Sequence, residues 1–419
     1  MTRVLLVYPY FKPRNNRSIF RFPPLGICYV AASLQRAGCE VEVLDCTFMK
    51  RDVALAQAAR AQADVVGIYS MLTMQEESIM FARHLRAETK LLVAGGPLPS
   101  CDPEAFLDDF DVVVIGEGER TMVELVQAHE AGNLFTPIAG IAYRDGQNGE
   151  RKSSERDENA VLTPARALAA NLDDIPFPAR ELLPNERYIQ YGRQKFGHSK
   201  TTVMTTRGCP FRCEFCSNAV FGVSYRERSA ANVVDEVELT LSLGYDYIHF
   251  ADDVFTFNKE RLLEICAEIT RRGLSFKWEC LGRVDSITPE LASAMKTAGC
   301  SRVFFGIESG NDDVLRLMNK RITVEQARSA VTAAREAGLN VGAFFIVCYP
   351  GETNETVLDT LRFAASLPLD YLSSTMPYPL PNTPLHERVK ERINKPWRPT
   401  EQVFLTTSAF SMPISRRPR

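Results

Sequence analysis

The chain has 419 residues, 45% of them hydrophobic and 24% charged, with a formal net charge of −3. That length accommodates two domains with connecting segments, and the near-neutral charge gives no reason to expect nucleic acid or an anionic membrane surface as a partner. No run of about 18 apolar residues is present to span a bilayer, the opening Met1-Thr-Arg-Val-Leu-Leu-Val-Tyr-Pro9 reads as a first strand and not as a secretory signal, and the 11 cysteines suit a reducing cytoplasm better than a disulfide framework.

In chain order, the first 130 or so residues alternate apolar runs with amphipathic stretches. Strands are predicted at Val4–Tyr8, Val41–Leu44, Val65–Tyr69, Leu91–Ala94 and Val112–Ile115. Helices are predicted near Gly26–Ala37, Val53–Ala61, Met74–Ala87 and Thr121–His129. Continuous apolar strands imply burial on both faces, so residues 1–140 are expected to form a five-stranded doubly wound α/β unit with ligands beyond the carboxyl ends of its strands. Residues 141–198 read as a linker, with a polar stretch at 144–159 and the Pro-punctuated Leu172-Asp-Asp-Ile-Pro-Phe-Pro-Ala-Arg180. A second alternation begins near Ser199, with strands at Thr202–Thr206, Tyr247–Ala251, Lys277–Leu281, Arg302–Ile307, Val341–Val347 and Leu372–Met376. Six βα repeats over residues 199–380 fit a partial (βα)6 barrel with its chemistry at the carboxyl ends. Residues 381–419 are left as a cap or tail.

The run Arg207-Gly-Cys-Pro-Phe-Arg-Cys-Glu-Phe-Cys-Ser-Asn218 places Cys209, Cys213 and Cys216 in one loop directly after the first barrel strand. Three thiolates at this spacing hold three irons of a [4Fe–4S] cluster and leave the fourth open. The alternatives are a zinc site, for which no fourth Cys or His lies nearby, or buried free thiols. The loop resembles the signature of the radical S-adenosylmethionine (radical SAM) superfamily. That resemblance implies that the open iron binds the amino and carboxylate groups of SAM and that electron transfer releases a 5′-deoxyadenosyl radical.

The N-terminal half resembles the Rossmann-like cobalamin (B12)-binding domain that precedes the barrel in one group of these enzymes. The residues carrying this are Tyr8-Pro9, Pro23-Pro-Leu-Gly26, Gly67-Ile-Tyr-Ser70, Gly95-Gly96-Pro97 and Val114-Ile-Gly-Glu-Gly-Glu119. Small residues let a backbone approach a nucleotide tail closely, although Gly-rich turns end strands in any doubly wound fold. The resemblance implies cofactor contacts at Tyr8, Pro9, Gly26, Ser70, Met71, Leu72, Thr73, Gly95, Gly96, Pro97, Gly116, Glu117 and Gly118. None of His84, His129, His198, His249 and His386 lies in an Asp-x-His-x-x-Gly loop. Cobalamin is therefore expected base-off, with no His ligand and with apolar Met71 and Leu72 under the corrin.

The resemblance extends over Tyr225-Arg-Glu-Arg-Ser229, Phe250-Ala-Asp-Asp-Val-Phe-Thr256, Gly282-Arg-Val-Asp285, Gly306-Ile-Glu-Ser309 and Tyr349-Pro-Gly-Glu352. It implies that Asp252 or Asp253 accepts from the SAM amino group and that Arg283 clamps its carboxylate. Glu308, with Ser309, meets the ribose, while Phe215 and Val347 flank the adenine. An N-cap role for the two aspartates and an ion pair for Arg283 are the competing readings. Tyr8, Tyr188, Tyr225 and Tyr378 are unranked candidates for the substrate cleft. The implied activity is a cobalamin-dependent radical SAM C-methyltransferase needing no acid or base at an sp3 carbon, with an external electron donor. Its compact form resembles enzymes that modify a protein side chain, so a protein or peptide substrate is expected, glutamine of methyl-coenzyme M reductase being the specific expectation; a cytoplasmic monomer is also expected. The alternatives are a B12 radical SAM enzyme that forms rings or oxidises without methyl transfer, and a non-catalytic Fe–S or corrinoid sensor, which would need no SAM pocket.

Overall fold

Apolar runs such as Leu91–Ala94 become strands buried on both faces in the first half of the chain, whereas strands of the second half bury mainly the face turned to the helices. The computed structural model describes residues 2–11, 21–144 and 160–393. They fall into two units, one of residues 2–195 with 219–222, the other of residues 196–218 with 223–393.

The first unit runs β1 (Arg3–Tyr8), α1 (Leu25–Arg36), β2 (Glu40–Asp45), α2 (Arg51–Arg60), β3 (Val65–Tyr69), α3 (Gln75–Leu85), β4 (Leu91–Gly95), α4 (Pro97–Cys101), β5 (Val112–Val114) and α5 (Gly118–Glu130). β6 (Ile141–Arg144), β7 (Ala160–Leu162) and α6 (Asn185–Phe196) follow. The sheet order is β2-β1-β3-β4-β5-β6-β7. β1 to β5 pair in parallel, while β6 and β7 add antiparallel. The expected five-stranded sheet is thus seven-stranded. The described residues within 141–198 are not a linker: besides the two strands they place Ala179 and Leu183 in the core formed by Leu6, Leu34, Val93 and Leu125. Strands of three and four residues are too short to show a period. The polar stretch at 145–159 lies outside the described residues.

The second unit holds β8 (Lys200–Val203), β9 (Thr206–Arg207), β10 (Arg226–Glu227), α7 (Ala230–Ser242), β11 (Tyr247–Phe250), α8 (Lys259–Arg271), β12 (Lys277–Gly282) and α9 (Pro289–Thr297). It continues with β13 (Cys300–Glu308), α10 (Asp312–Leu317), α11 (Val324–Glu336), β14 (Asn340–Ile346), α12 (Asn354–Ser366), β15 (Tyr371–Thr375) and α13 (Pro384–Val389). Six strands form one sheet in the order β15-β14-β13-β12-β11-β8, all pairs parallel. Sequential parallel order with intervening helices is the partial-barrel arrangement. Alternate strand residues, among them Val203, Ile248, Phe250, Trp278, Val303, Phe305, Val341 and Phe345, pack against the helices in one core; their neighbours face the inner wall.

The first barrel strand ends at Val203, earlier than predicted, because Asp252 takes the amides of Thr205 (2.6 Å) and Thr206 (2.9 Å) out of the ladder. Thr206–Arg207 pairs instead with Arg226–Glu227 in an antiparallel ribbon. Of the expected cap, α13 joins Val314, Met318, Ile346 and Tyr349 in a small separate core; residues 394–419 lie outside the described residues. No helix among the described residues is long and apolar enough to cross a membrane.

Candidate functional site

The cysteine loop leaves the carboxyl end of the barrel sheet and is tied down by its own non-cysteine residues. Glu214 is the main anchor. Its amide donates to Met318 O (3.0 Å) and its carbonyl accepts from Leu385 N (3.0 Å); its carboxylate accepts from Tyr349 Oη (3.3 Å) and pairs with Arg388 (2.9 Å). Asn319 Nδ2 donates to Arg212 O at 2.7 Å. Phe215 packs beside the small core, 6.4 Å from the Tyr349 ring centroid.

Cys213 is buried, Cys209 half-buried and Cys216 exposed on one face. Burial raises the Cys209 thiol, with Asp253 and Cys213 adding to the effect. Cys216 keeps an exposed face, yet its thiol is hemmed in. The surrounding protein pushes it up to about 12, and Cys213, Asp253 and Cys209 act in the same direction. Burial also raises Cys213, but Lys320 and Arg283 oppose this. Three thiols that disfavour one another's ionisation call for a cation, and coordinated thiols are deprotonated outright. No three Cys, His, Asp or Glu side chains among the described residues are drawn together tightly enough for a single metal ion. Three cysteines on one loop, with no fourth Cys or His in it, are the donor set of a cluster with one open iron and not of a closed mononuclear zinc site.

Around the loop the expected SAM-binding residues separate into two groups. Asp253 is exposed; burial of its carboxyl and the neighbouring Asp252 raise its pKa, and it acts on both Cys209 and Cys216. Glu308 ends β13 at a register shift and pairs with Lys320 Nζ at 2.9 Å. Burial alone would lower Lys320, but Glu308 and Cys213 outweigh it, so the ammonium is held above its ordinary value. A Cβ at Gly306 would lie 2.5 Å from Glu308 Oε1, so the pair needs glycine there. Arg283 is engaged on one edge by Asp285, at 2.9 Å from both Nε and Nη2, and stacks 3.5 Å over the Phe211 ring centroid. Glu308 (φ 70°), Asn319 (φ 53°), Arg321 (φ 56°) and Cys348 (φ 62°) all adopt left-handed backbone. Each costs roughly 1–2 kcal/mol, and such strain gathers where function over-determines geometry.

The second group is internal. Asp252 is spent on Thr205 and Thr206. Ser309 is fully buried against Thr360 Oγ1 (2.9 Å), and the Val347 amide donates to Thr375 O (2.9 Å) within the sheet. Tyr188 is also internal: its hydroxyl donates to Asp45 Oδ2 at 2.6 Å. Lys320, Glu214 and Phe211 were missed. Nothing in Met318-Asn319-Lys320-Arg321 shows which cation turns inward.

In the first unit, Tyr8, Ser70–Thr73, Gly95–Pro97 and Gly116–Gly118 all gather at the carboxyl edge of the sheet, with Gly26 in the first turn of α1. The glycines there serve two different purposes. A Cβ on Gly96 (φ +111°) would lie 2.6 Å from Ser70 O, so packing explains it, whereas one on Gly118 would only make ordinary contact with Val30 at 3.4 Å. A Cβ on Gly26 would meet nothing within 4 Å, and on Gly95 only Val114 at 3.9 Å. Open space before backbone that packing does not require is what a close-fitting cofactor demands. Ser70 faces inward, fully buried, with its hydroxyl accepting from Ser78 at 3.0 Å. Met71 and Leu72 are half-buried and Thr73 exposed. His84 and His129 sit in the last turns of α3 and α5, at the opposite edge.

Filling these open positions separates binding from folding. Gly26→Leu is expected to cut cobalamin retention at least tenfold while leaving the unfolding midpoint unchanged. Gly96→Val is expected to lower that midpoint. Equilibrium dialysis and thermal unfolding of both variants provide the check.

The Radical SAM superfamily profile matches residues 203–364, and the B12 binding domain profile matches residues 16–126. An uncharacterized methyltransferase of Pyrococcus horikoshii is 35% identical over 400 residues, covering 92% of this chain and 82% of that protein. An anaerobic magnesium-protoporphyrin IX monomethyl ester cyclase of Cereibacter sphaeroides is 28% identical over 408 residues, covering 93% of this chain and 64% of the cyclase. Among solved structures, the radical SAM methyltransferase TsrM of Kitasatospora setae, with cobalamin and a [4Fe-4S] cluster bound, superposes with a TM-score of 0.78 at 22% identity, over 94% of this chain and 75% of TsrM. With a B12-binding domain ahead of a radical SAM domain, and with that identity to a named methyltransferase along nearly its whole length, the chain belongs to the cobalamin-dependent radical SAM methyltransferase family.

Proposed function

We propose that this chain methylates an unactivated sp3 carbon of a protein side chain, with glutamine of methyl-coenzyme M reductase as the specific acceptor. The observation carrying methyl transfer is the 35% identity to a methyltransferase of which the chain spans 82%. When bound, the cluster and SAM supply a carbon-centred oxidant, and cobalamin supplies the methyl group. The chain's residues bind and orient. Cys209, Cys213 and Cys216 hold the cluster. Asp253 meets the SAM amino group and Arg283, beside the loop, its carboxylate; Glu308, steadied by Lys320, meets the ribose, and Phe215 lies along the adenine.

The charged groups support a reaction without acid–base steps. Glu308 is paired with Lys320, Arg283 with Asp285, and Asp252 with Thr205 and Thr206. Among these, Asp253 alone makes no hydrogen bond within the described residues, which suits a binding carboxylate better than a proton relay. The substrate, an external electron donor, a monomeric state and the cytoplasm complete the proposal.

Product stoichiometry tests it. Anaerobic turnover with the protein substrate should yield a peptide heavier by 14 Da, with S-adenosylhomocysteine and 5′-deoxyadenosine in equal amounts. A second reading, ring formation or oxidation without methyl transfer, is favoured by the 28% identity to a cyclase over 93% of the chain. It predicts 5′-deoxyadenosine with no S-adenosylhomocysteine. A protein that cleaves no SAM would instead be a sensor.

We also propose that cobalamin is held base-off with no protein imidazole, over Met71 and Leu72. The placement of His84 and His129 away from the carboxyl edge supports this. EPR of the cobalt(II) state should show no nitrogen superhyperfine splitting. Splitting that disappears in any histidine variant would overturn the proposal.

A further inference from the structure

The inner wall of the barrel sheet carries a group of side chains that cluster and SAM binding leave unused. Val303, Phe305, Val341, Ala343 and Phe345 point to the helix-side core. Strand alternation therefore puts Arg302, Phe304, Gly342, Phe344 and Tyr371 on the opposite face. Phe304 and Phe344 stack at 5.6 Å between centroids, and Tyr371 meets them edge-on at 5.8 and 6.3 Å. Gly342 is the register partner of both Phe304 and Tyr371. A Cβ there would lie 2.4 Å from the Phe304 ring, so glycine is what lets that ring cross β14 and reach Tyr371.

These rings are not sealed into a core. Phe304 and Phe344 are half-buried, and Tyr371, on the edge strand, is 40% exposed. Arg302 sits two residues before Phe304, its guanidinium carbon 5.5 Å from that ring's centroid. Its Nε is buried without a hydrogen-bond partner, and its side chain makes no ion pair among the described residues. The carboxylate in register with it, Glu279, is already taken by Lys200 (2.9 Å), Tyr247 (2.9 Å) and His249 (3.1 Å). A partly desolvated guanidinium without an anion is costly, and an aromatic wall next to it is suited to stacked and edge-on ring contacts.

We propose that this wall holds the substrate, a planar ring lying against Phe304, Phe344 and Tyr371 with a carboxylate on Arg302. The inference rests on the barrel being the chamber that receives the methyl acceptor. In a polypeptide the recognised element is an aromatic residue beside Asp or Glu; in a small molecule it is a ring acid. Phe304 lies four residues before Glu308, about 13 Å along the strand at roughly 3.3 Å per residue, so recognition is remote from the reacting carbon.

Calorimetric titration of the full chain, loaded with cluster and cobalamin, tests this without turnover. The probes are 2-naphthoate, the peptide acetyl-Gly-Gln-Tyr-Glu-Gly-amide and, as the cationic counterpart, 2-naphthylmethylamine. One of the two carboxylates should bind at least tenfold more tightly than the amine, and the tighter of them identifies the source of the ring. Arg302→Gln and Phe344→Ala should each weaken that binding at least tenfold, as should Tyr371→Ala, whose exposed edge position spares folding. The proposal is overturned if neither carboxylate binds, if the amine binds as well, or if Arg302→Gln and Tyr371→Ala leave affinity unchanged. Because SAM is absent, a failure of methyl transfer leaves the result interpretable.

Discussion

Three thiols on one loop resist ionising together, and Lys320 and Arg283 oppose that resistance. Lys320 is the main compensation. It is buried, held by Glu308 and felt by Cys213, and it reaches this place only because Asn319 and Arg321 on either side accept left-handed backbone. The same short segment anchors the cysteine loop through Met318 O and Asn319 Nδ2. Charge compensation and loop docking therefore depend on one turn between α10 and α11. A change that relaxed the strain there would displace the ammonium and loosen the loop together.

In the first unit the corresponding constraint is steric. Its carboxyl edge mixes glycines that the fold itself requires with glycines that it does not. Gly96 is explained by Ser70, whereas the space before Gly26 and Gly95 is left open. This distinction carries more than the Gly-rich pattern, because any doubly wound sheet needs tight turns at strand ends. Apolar Met71 and Leu72 lie at the same edge, with His84 and His129 at the far one.

Much of the architecture is legible in the sequence because parallel strands buried on both faces appear as unbroken apolar runs. Leu91-Leu-Val-Ala94 and Val112-Val-Val114 are of this kind. β6 and β7 are not: they are short and antiparallel, with β7 at the edge. The cysteine triad is legible because its spacing lies within one loop. Lys320 is not, since it is 12 residues from its partner Glu308 and adjoins another cation. Asp252 and Asp253 show the same limit. Which of two adjacent carboxylates turns inward is decided by the amides of Thr205 and Thr206, which local pattern does not reveal. Tyr188 and Ser309 look equally available in sequence, and only packing places them in the interior.

In the proposed site, a cluster held by Cys209, Cys213 and Cys216 leaves one iron open to SAM. Electron–nuclear double resonance on the reduced protein, with SAM labelled by nitrogen-15 in its amino group and oxygen-17 in its carboxylate, tests it most directly. Hyperfine coupling of both labels to the cluster is the predicted result. A reduced cluster showing coupling to neither label, with SAM demonstrably bound, would contradict the account.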